Sequence, residues 1–195
     1  MKRTIAFFIC LTLALSATAR ADCAADTDYM QIMLDCAAAG DSEGGLEAQR
    51  LRDEKIRVLG LCYPCIDYSE LEMLAKVIEA EAGSEWLPAE WKMAVGEVVL
   101  NRVASPEFPD TMLEVIEQPG QYYGKGSRFF ATLRPSEAAL QAAKRLLEGE
   151  RVLCDPSVVF QANFVLGSGV HTALHDPQLG YTYLCYSSYP ELYLG

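Results

Sequence analysis

From Ser69 to Gly83 the chain reads SELEMLAKVIEAEAG, with Leu71, Leu74, Val77 and Ile78 at the spacing of a single helix face. This pattern constrains the fold most, because a helix with one apolar stripe has to bury it against another element. Ser69, with Glu72 three residues on, supplies a capping box, and Gly83 marks the end. A second helix is expected from Pro88, a favourable first-turn residue, to about Ala104, with Pro106 as its stop. Along it Trp91, Met93, Val95, Val98 and Val99 read as packing positions. Asp110 is expected to cap a short helix ending at Pro119-Gly120. The loop QYYGKGSRFF follows, and Ser136 caps a helix that closes at Gly149. VVFQANF (158–164) and YTYLCYS (181–187) have the β-branched and aromatic bias of strands, joined by a loop containing Gly, His, Asp and Pro. The expected class is α+β, mainly helical, with a small antiparallel β element.

Two appendages precede this unit. In residues 1–21, Lys2 and Arg3 lead an apolar run from Ile5 to Leu15, and Ala17, Ala19 and Ala21 follow, which suits a secretory signal peptide cut after Ala21. The run is short for a membrane span, and Asp22 before Cys23 disfavours a lipid anchor. Residues 22–68 read as a helical N-terminal segment, with helices over 29–39 and 46–61 flanking GDSEGG, too small to bury much alone. The main domain is assigned to 69–195. Loss of Lys2, Arg3 and Arg20 takes the formal charge from −11 to −14, a sign that argues against nucleic acid or anionic membrane as partner. The location expected is secreted or extracytoplasmic, without membrane insertion after cleavage. Six cysteines remain, Cys23, Cys36, Cys62, Cys65, Cys154 and Cys185, and an even count in an exported chain reads first as disulfides.

KVIEAEAGSEW holds three acids, Glu79, Glu81 and Glu85. At about 100° per residue, Glu81 shares the face of Leu71, Leu74, Val77 and Ile78 at the last turn of its helix, whereas Glu79 falls about 160° away beside Glu72 and Lys76. Glu79 therefore reads as solvated surface. A carboxylate pressed against a core at a helix C-terminus is pushed toward its protonated form, the state a general acid needs. The competing reading of Glu81 is an acid reaching past the helix end to water, or paired with Arg102 or Arg128.

EAGSE (81–85), WKMAVGEVVLNRVASPEFPDT (91–111) and IEQPGQY (116–122), in that order, resemble the catalytic domain of the spore-cortex-lytic cell-wall hydrolases. The likeness extends over about residues 69–187. It implies a lysozyme-like catalytic domain, peptidoglycan glycan strands as partner, and cleavage between N-acetylmuramic acid and N-acetylglucosamine by lytic transglycosylation. It also implies that Glu81 is the catalytic acid. Two departures stand out. Ser84 occupies a position where the family usually has glycine, and no histidine follows Gly180 where the family often has Gly-x-His-x-Phe.

A lytic transglycosylase manages with one carboxylate where ordinary glycosidases need two, and no cofactor is called for. Gln118, Gln121, Tyr122 and Tyr123 suit sugar binding, since aromatic faces pack on rings and amides pair with hydroxyl and acetamido groups; an exposed turn around Pro119-Gly120 is the plainer alternative. Gln161 and Asn163 offer amides near strand positions, to a cleft or to solvent. Glu85 is read as ordering its loop rather than as a second acid, and Asn101 and Arg102 as structural pairing, with Arg102 held by a carboxylate. Two rival functions remain. A zinc-dependent N-acetylmuramoyl-L-alanine amidase would draw on His171 and His175, with Asp176 adjacent, although Gly167, Gly169 and Pro177 suggest an exposed loop there. A non-catalytic peptidoglycan-binding module would keep the fold without turnover.

Overall fold

The computed structural model describes residues 27–122 and 127–193. The expected signal peptide, Cys23 and Tyr123 lie outside the described residues. Among the described residues seven helices run in chain order: α1 (Tyr29–Ala39), α2 (Ser42–Leu59), α3 (Tyr68–Ala82), α4 (Ala89–Ala104), α5 (Met112–Ile116), α6 (Arg128–Thr132) and α7 (Glu137–Leu147). Three strands follow, β1 (Val158–Ala162), β2 (Val170–Asp176) and β3 (Gly180–Tyr186), then a 3-10 turn at Pro190–Tyr193. The class is α+β as expected.

The apolar stripe of α3 becomes the centre of the main core. Leu71, Leu74, Val77 and Ile78 are fully buried against α4 and α7, and Met33, Leu34 and Ala37 of α1 join the same cluster. The N-terminal hairpin therefore shares the core of the main domain. Gly96 permits the closest approach, since a Cβ there would stand 2.5 Å from Leu146 Cδ1 and 2.8 Å from Ile78 Cδ1.

Local signals differ from expectation at several ends. Asp67, not Ser69, caps α3 by accepting from the Glu70 amide, and Thr111, not Asp110, caps α5. Helix α2 begins inside GDSEGG, because Asp41 caps it and the Tyr68 ring fills the space beside Gly45, where a side chain would collide. A short helix, α6, capped by Ser127, occupies part of the expected loop.

The sheet is antiparallel with order β1-β3-β2. The expected loop between two strands is itself largely a strand, β2, and carries both histidines. Gly167, Gly169 and Pro177 bound that strand and do not dissolve it. Its turn is built by Asp176, whose Oδ1 accepts from the amides of Gln178 (2.9 Å) and Leu179 (3.0 Å), with Gly180 at φ 80°. On one sheet face Leu184 packs with Ala94 and Val98 of α4, while Leu174 meets Ala82, Leu87, Trp91 and Val95.

Asn101 Nδ2 donates to the carbonyls of Asp155 (2.9 Å) and Val158 (3.0 Å), and Arg102 Nε to that of Val159 (2.6 Å), so α4 holds β1 directly. The disulfide expectation is corrected for the described cysteines. Cys36, Cys62, Cys65, Cys154 and Cys185 are all free thiols; Cys185 is buried in β3, while Cys154 is exposed with its Sγ turned to the Arg151 carbonyl.

Candidate functional site at the end of helix α3

Glu81 lies in the last turn of α3, where the helix meets the edge strand β1. The helix period places it on the apolar face, but the structure leaves it exposed, while the next residue, Ala82, takes the buried place against Leu87, Trp91 and Val95. The burial expected for its carboxyl is thereby corrected. Its neighbour across the seam is Gln161, whose Nε2 donates to Glu81 Oε2 at 3.4 Å. Gln161 pairs with Leu184, and Leu184 with Thr172, so all three point to the face of the sheet that packs on α4.

A second group comes from the turn after α5. Arg102 donates through Nη1 to Gln121 Oε1 (2.8 Å), and its guanidinium lies 5.0 Å from the Tyr122 ring centroid and 5.1 Å from that of Phe108. Arg102 is thus held by an amide, a carbonyl and two rings; the carboxylate partner expected for it is replaced by Gln121 and Val159. Burial pushes the Tyr122 phenol above its ordinary range; Arg102 opposes this and the charge of Glu81 adds to it. A phenol kept neutral beside a carboxylate is a standing O–H donor.

Three enclosed oxygens have no hydrogen-bond partner among the described residues: Tyr122 Oη, Gln161 Oε1 and Gln118 Oε1. Buried polar atoms are nearly always paired, so these call for an explanation; of the three residues, Gln161 touches Glu81 and Tyr122 is near enough to feel its charge. Gln118 and Gln121 are joined through the turn by the Gln121 amide donating to the Gln118 carbonyl (3.2 Å). Asn163 is exposed just beyond the end of β1, and Glu85 is exposed in the turn after α3; neither makes a hydrogen bond within the described residues.

The turn that follows Glu81 is fixed from below. Lys92, 2 % exposed, sends Nζ to the carbonyls of Ala82 (2.5 Å) and Ser84 (3.0 Å), satisfying the end of α3. Burial pulls its ammonium below the ordinary lysine range, and Glu79 pulls the other way. Ser84 keeps a negative φ, and its carbonyl accepts from the Leu87 amide at 3.1 Å.

Two acids have roles that periodicity did not disclose. Glu79 is not solvated surface: its Oε2 accepts from the amide (2.9 Å) and hydroxyl (2.5 Å) of Ser136, the cap of α7. The lysine expected beside it, Lys76, pairs with Glu72 at 2.7 Å. Glu97, 1 % exposed, accepts from the amides of Val152 (2.6 Å), Leu153 (2.9 Å) and Cys154 (3.0 Å), fixing the segment that enters β1. Its position inside the buried run of α4 was the available signal.

His171 bonds Thr172 Oγ1 (2.7 Å) and meets the Tyr186 ring, while His175 lies against Tyr181. Among the described residues no three His, Cys, Asp or Glu side chains gather as a group able to hold a metal. A groove of about 670 Å³, bordered by Tyr29, Leu34, Arg52, Lys55 and Lys144, lies at the N-terminal hairpin and shares no residue with the Glu81 site.

The family model described as Cell Wall Hydrolase matches residues 88–170. The matched span takes in Asn101, Arg102, Gln118, Gln121, Tyr122, Gln161 and Asn163, and begins after Glu81. The match supports a cell-wall hydrolase, with peptidoglycan as the substrate that such a domain implies. No curated protein and no solved structure matches the chain.

Proposed function

We propose that the protein cleaves peptidoglycan glycan strands at the bond between N-acetylmuramic acid and N-acetylglucosamine, with Glu81 as the single general acid and base. One observation carries this reading: an exposed carboxylate at the seam between α3 and β1, touched by Gln161 and bordered by the unpartnered oxygens of Tyr122 and Gln161. The family match over 88–170 supplies the substrate class.

In the proposed reaction the protonated Glu81 gives its proton to the glycosidic oxygen as the bond to the muramic acid C1 breaks. The resulting carboxylate then takes the proton of the C6 hydroxyl, whose oxygen bonds to C1 and closes a 1,6-anhydro ring, returning Glu81 to its starting state. Gln161 orients the carboxylate. Tyr122 and the unpartnered amide oxygens bind hydroxyl and acetamido groups, and the neutral phenol donates where negative charge develops. Arg102 acts one step removed, by holding Gln121 and the Tyr122 ring in place. The expected export fits a substrate outside the cytoplasm.

Mass spectrometry of fragments from purified peptidoglycan tests the bond and the chemistry together. Fragments ending in 1,6-anhydromuramic acid are expected. Reducing muramic ends would instead indicate attack by water.

A further inference from the structure

Trp86 presents an unusual combination of exposure and constraint. Its side chain belongs to a residue 56 % exposed, yet its single polar atom is already engaged, Nε1 donating to Asp176 Oδ2 at 3.2 Å. Asp176 is itself buried and fixed by two amides of the β2–β3 turn. The turn carrying Trp86 is held as well, through Lys92 on the carbonyls of Ala82 and Ser84. What remains to solvent is therefore a large aromatic surface, pinned at its edge and with no hydrogen-bonding demand of its own. Leaving such a ring uncovered forgoes the burial that tryptophan usually obtains, which is readily explained if a ligand covers it.

The position of the ring suits a glycan that also reaches Glu81. Gln161 and Asp176 lie on the same sheet face: Gln161 pairs with Leu184, Leu184 with Thr172, and Asp176 is four residues further along β2. Two strand spacings and four residues of rise separate Gln161 from Asp176 by about 16 Å. That face is covered by α4, but Glu81 touches the first and Trp86 the second, and both are exposed, a separation that a short run of sugars spans.

We propose that the ring of Trp86 is a stacking platform for a sugar of the glycan several units away from the scissile bond. This rests on the glycan-cleaving reading of the Glu81 site. The C–H face of a pyranose packs on the indole while its hydroxyl edges remain in water, so the platform contributes affinity rather than chemistry. A purely structural role for Trp86, as a clamp between the α3–α4 turn and the sheet, makes different predictions, because a clamp needs the indole N–H whereas a platform needs only the ring.

The test uses the full chain carrying Glu81→Gln, which does not consume its ligand, with solubilised peptidoglycan glycan strands as probe. The chain has two tryptophans, and Trp91 is 5 % exposed, so acrylamide quenching reports chiefly on Trp86. Glycan is expected to protect the fluorescence from quenching. In the same background Trp86→Ala should raise the Kd about fivefold to tenfold, and Trp86→Phe, which keeps a ring and loses the N–H, should stay within about twofold. Unchanged quenching on addition of glycan would overturn the platform. So would Trp86→Phe binding as poorly as Trp86→Ala, which is the behaviour of a clamp. The quenching measurement needs no substitution at Trp86, so it stands even if Trp86→Ala does not fold. Fragment release by the parent is scored separately: fragments without protection would sink the platform alone, and protection without fragments would sink the cleavage reading alone.

Discussion

The side-chain amide of Gln161 approaches the Glu81 carboxylate to 3.4 Å, joining the end of α3 to strand β1 across 80 positions of sequence. A bond of this kind orients the acid. Gln161→Ala is expected to lower kcat about tenfold with the fold retained, the worth of one hydrogen bond to a charged group. Gln161→Glu would place a second carboxylate beside the first and raise the pKa of the pair. The alkaline limb of the pH–rate profile should then move upward, as a pH series of glycan release would show.

Lys92 secures the helix end that carries Glu81. Replacing it with Met fills the space but leaves the carbonyls of Ala82 and Ser84 without their donor. A loss of about 2–3 kcal/mol is expected in urea unfolding, and the remaining folded protein should turn over more slowly because the last turn of α3 is no longer fixed.

Glu97 is a buried acid held by three amides, all from the segment entering β1. Glu97→Ala strands those donors and should cost about 3 kcal/mol or more, also read from urea unfolding.

Asp176 gives a pH dependence with a defined sign. Burial alone would raise its carboxyl, but the bonds from Gln178, Leu179 and Trp86, helped by His175, outweigh burial and hold it below the ordinary aspartate range. The native state therefore binds fewer protons at this group than the unfolded chain. Its contribution is complete above about pH 4 and is lost as pH falls through the lower native value. Acid unfolding followed by circular dichroism should show the gap between parent and Asp176→Asn closing below about pH 4. A gap that stayed constant into strong acid would contradict the role assigned to the Trp86–Asp176 bond.

The main helices were legible because each follows from a period of 3.6 residues, and so was the place of Glu81 in the last turn of α3. That Glu81 is exposed was not, since periodicity gives a face and says nothing of where the packing partners stop. Glu79 shows the same limit from the other side: it was read as solvated surface, but the Ser136 cap that it meets comes from 57 residues away. Strand β2 was hidden by its flanking Gly and Pro, which bound a strand as readily as they fill a loop. The free cysteines were hidden because pairing depends on which thiols the fold brings together, and it leaves Cys154 exposed and Cys185 enclosed. Gln161 was read only as an amide facing cleft or solvent; its contact with Glu81 exists because Asn101 and Arg102 hold β1 to α4.

The central claim concerns one carboxyl group, and the direct measurement compares Glu81→Gln with Glu79→Gln in the release of soluble fragments from purified peptidoglycan. Glu81→Gln should lower the rate about 10³-fold or more while remaining folded, as expected for loss of a general acid and base. Glu79→Gln, which weakens the Ser136 cap and removes a charge near Lys92, should keep near-parental turnover with about 1–2 kcal/mol less stability. Parental turnover by a folded Glu81→Gln protein would contradict the account.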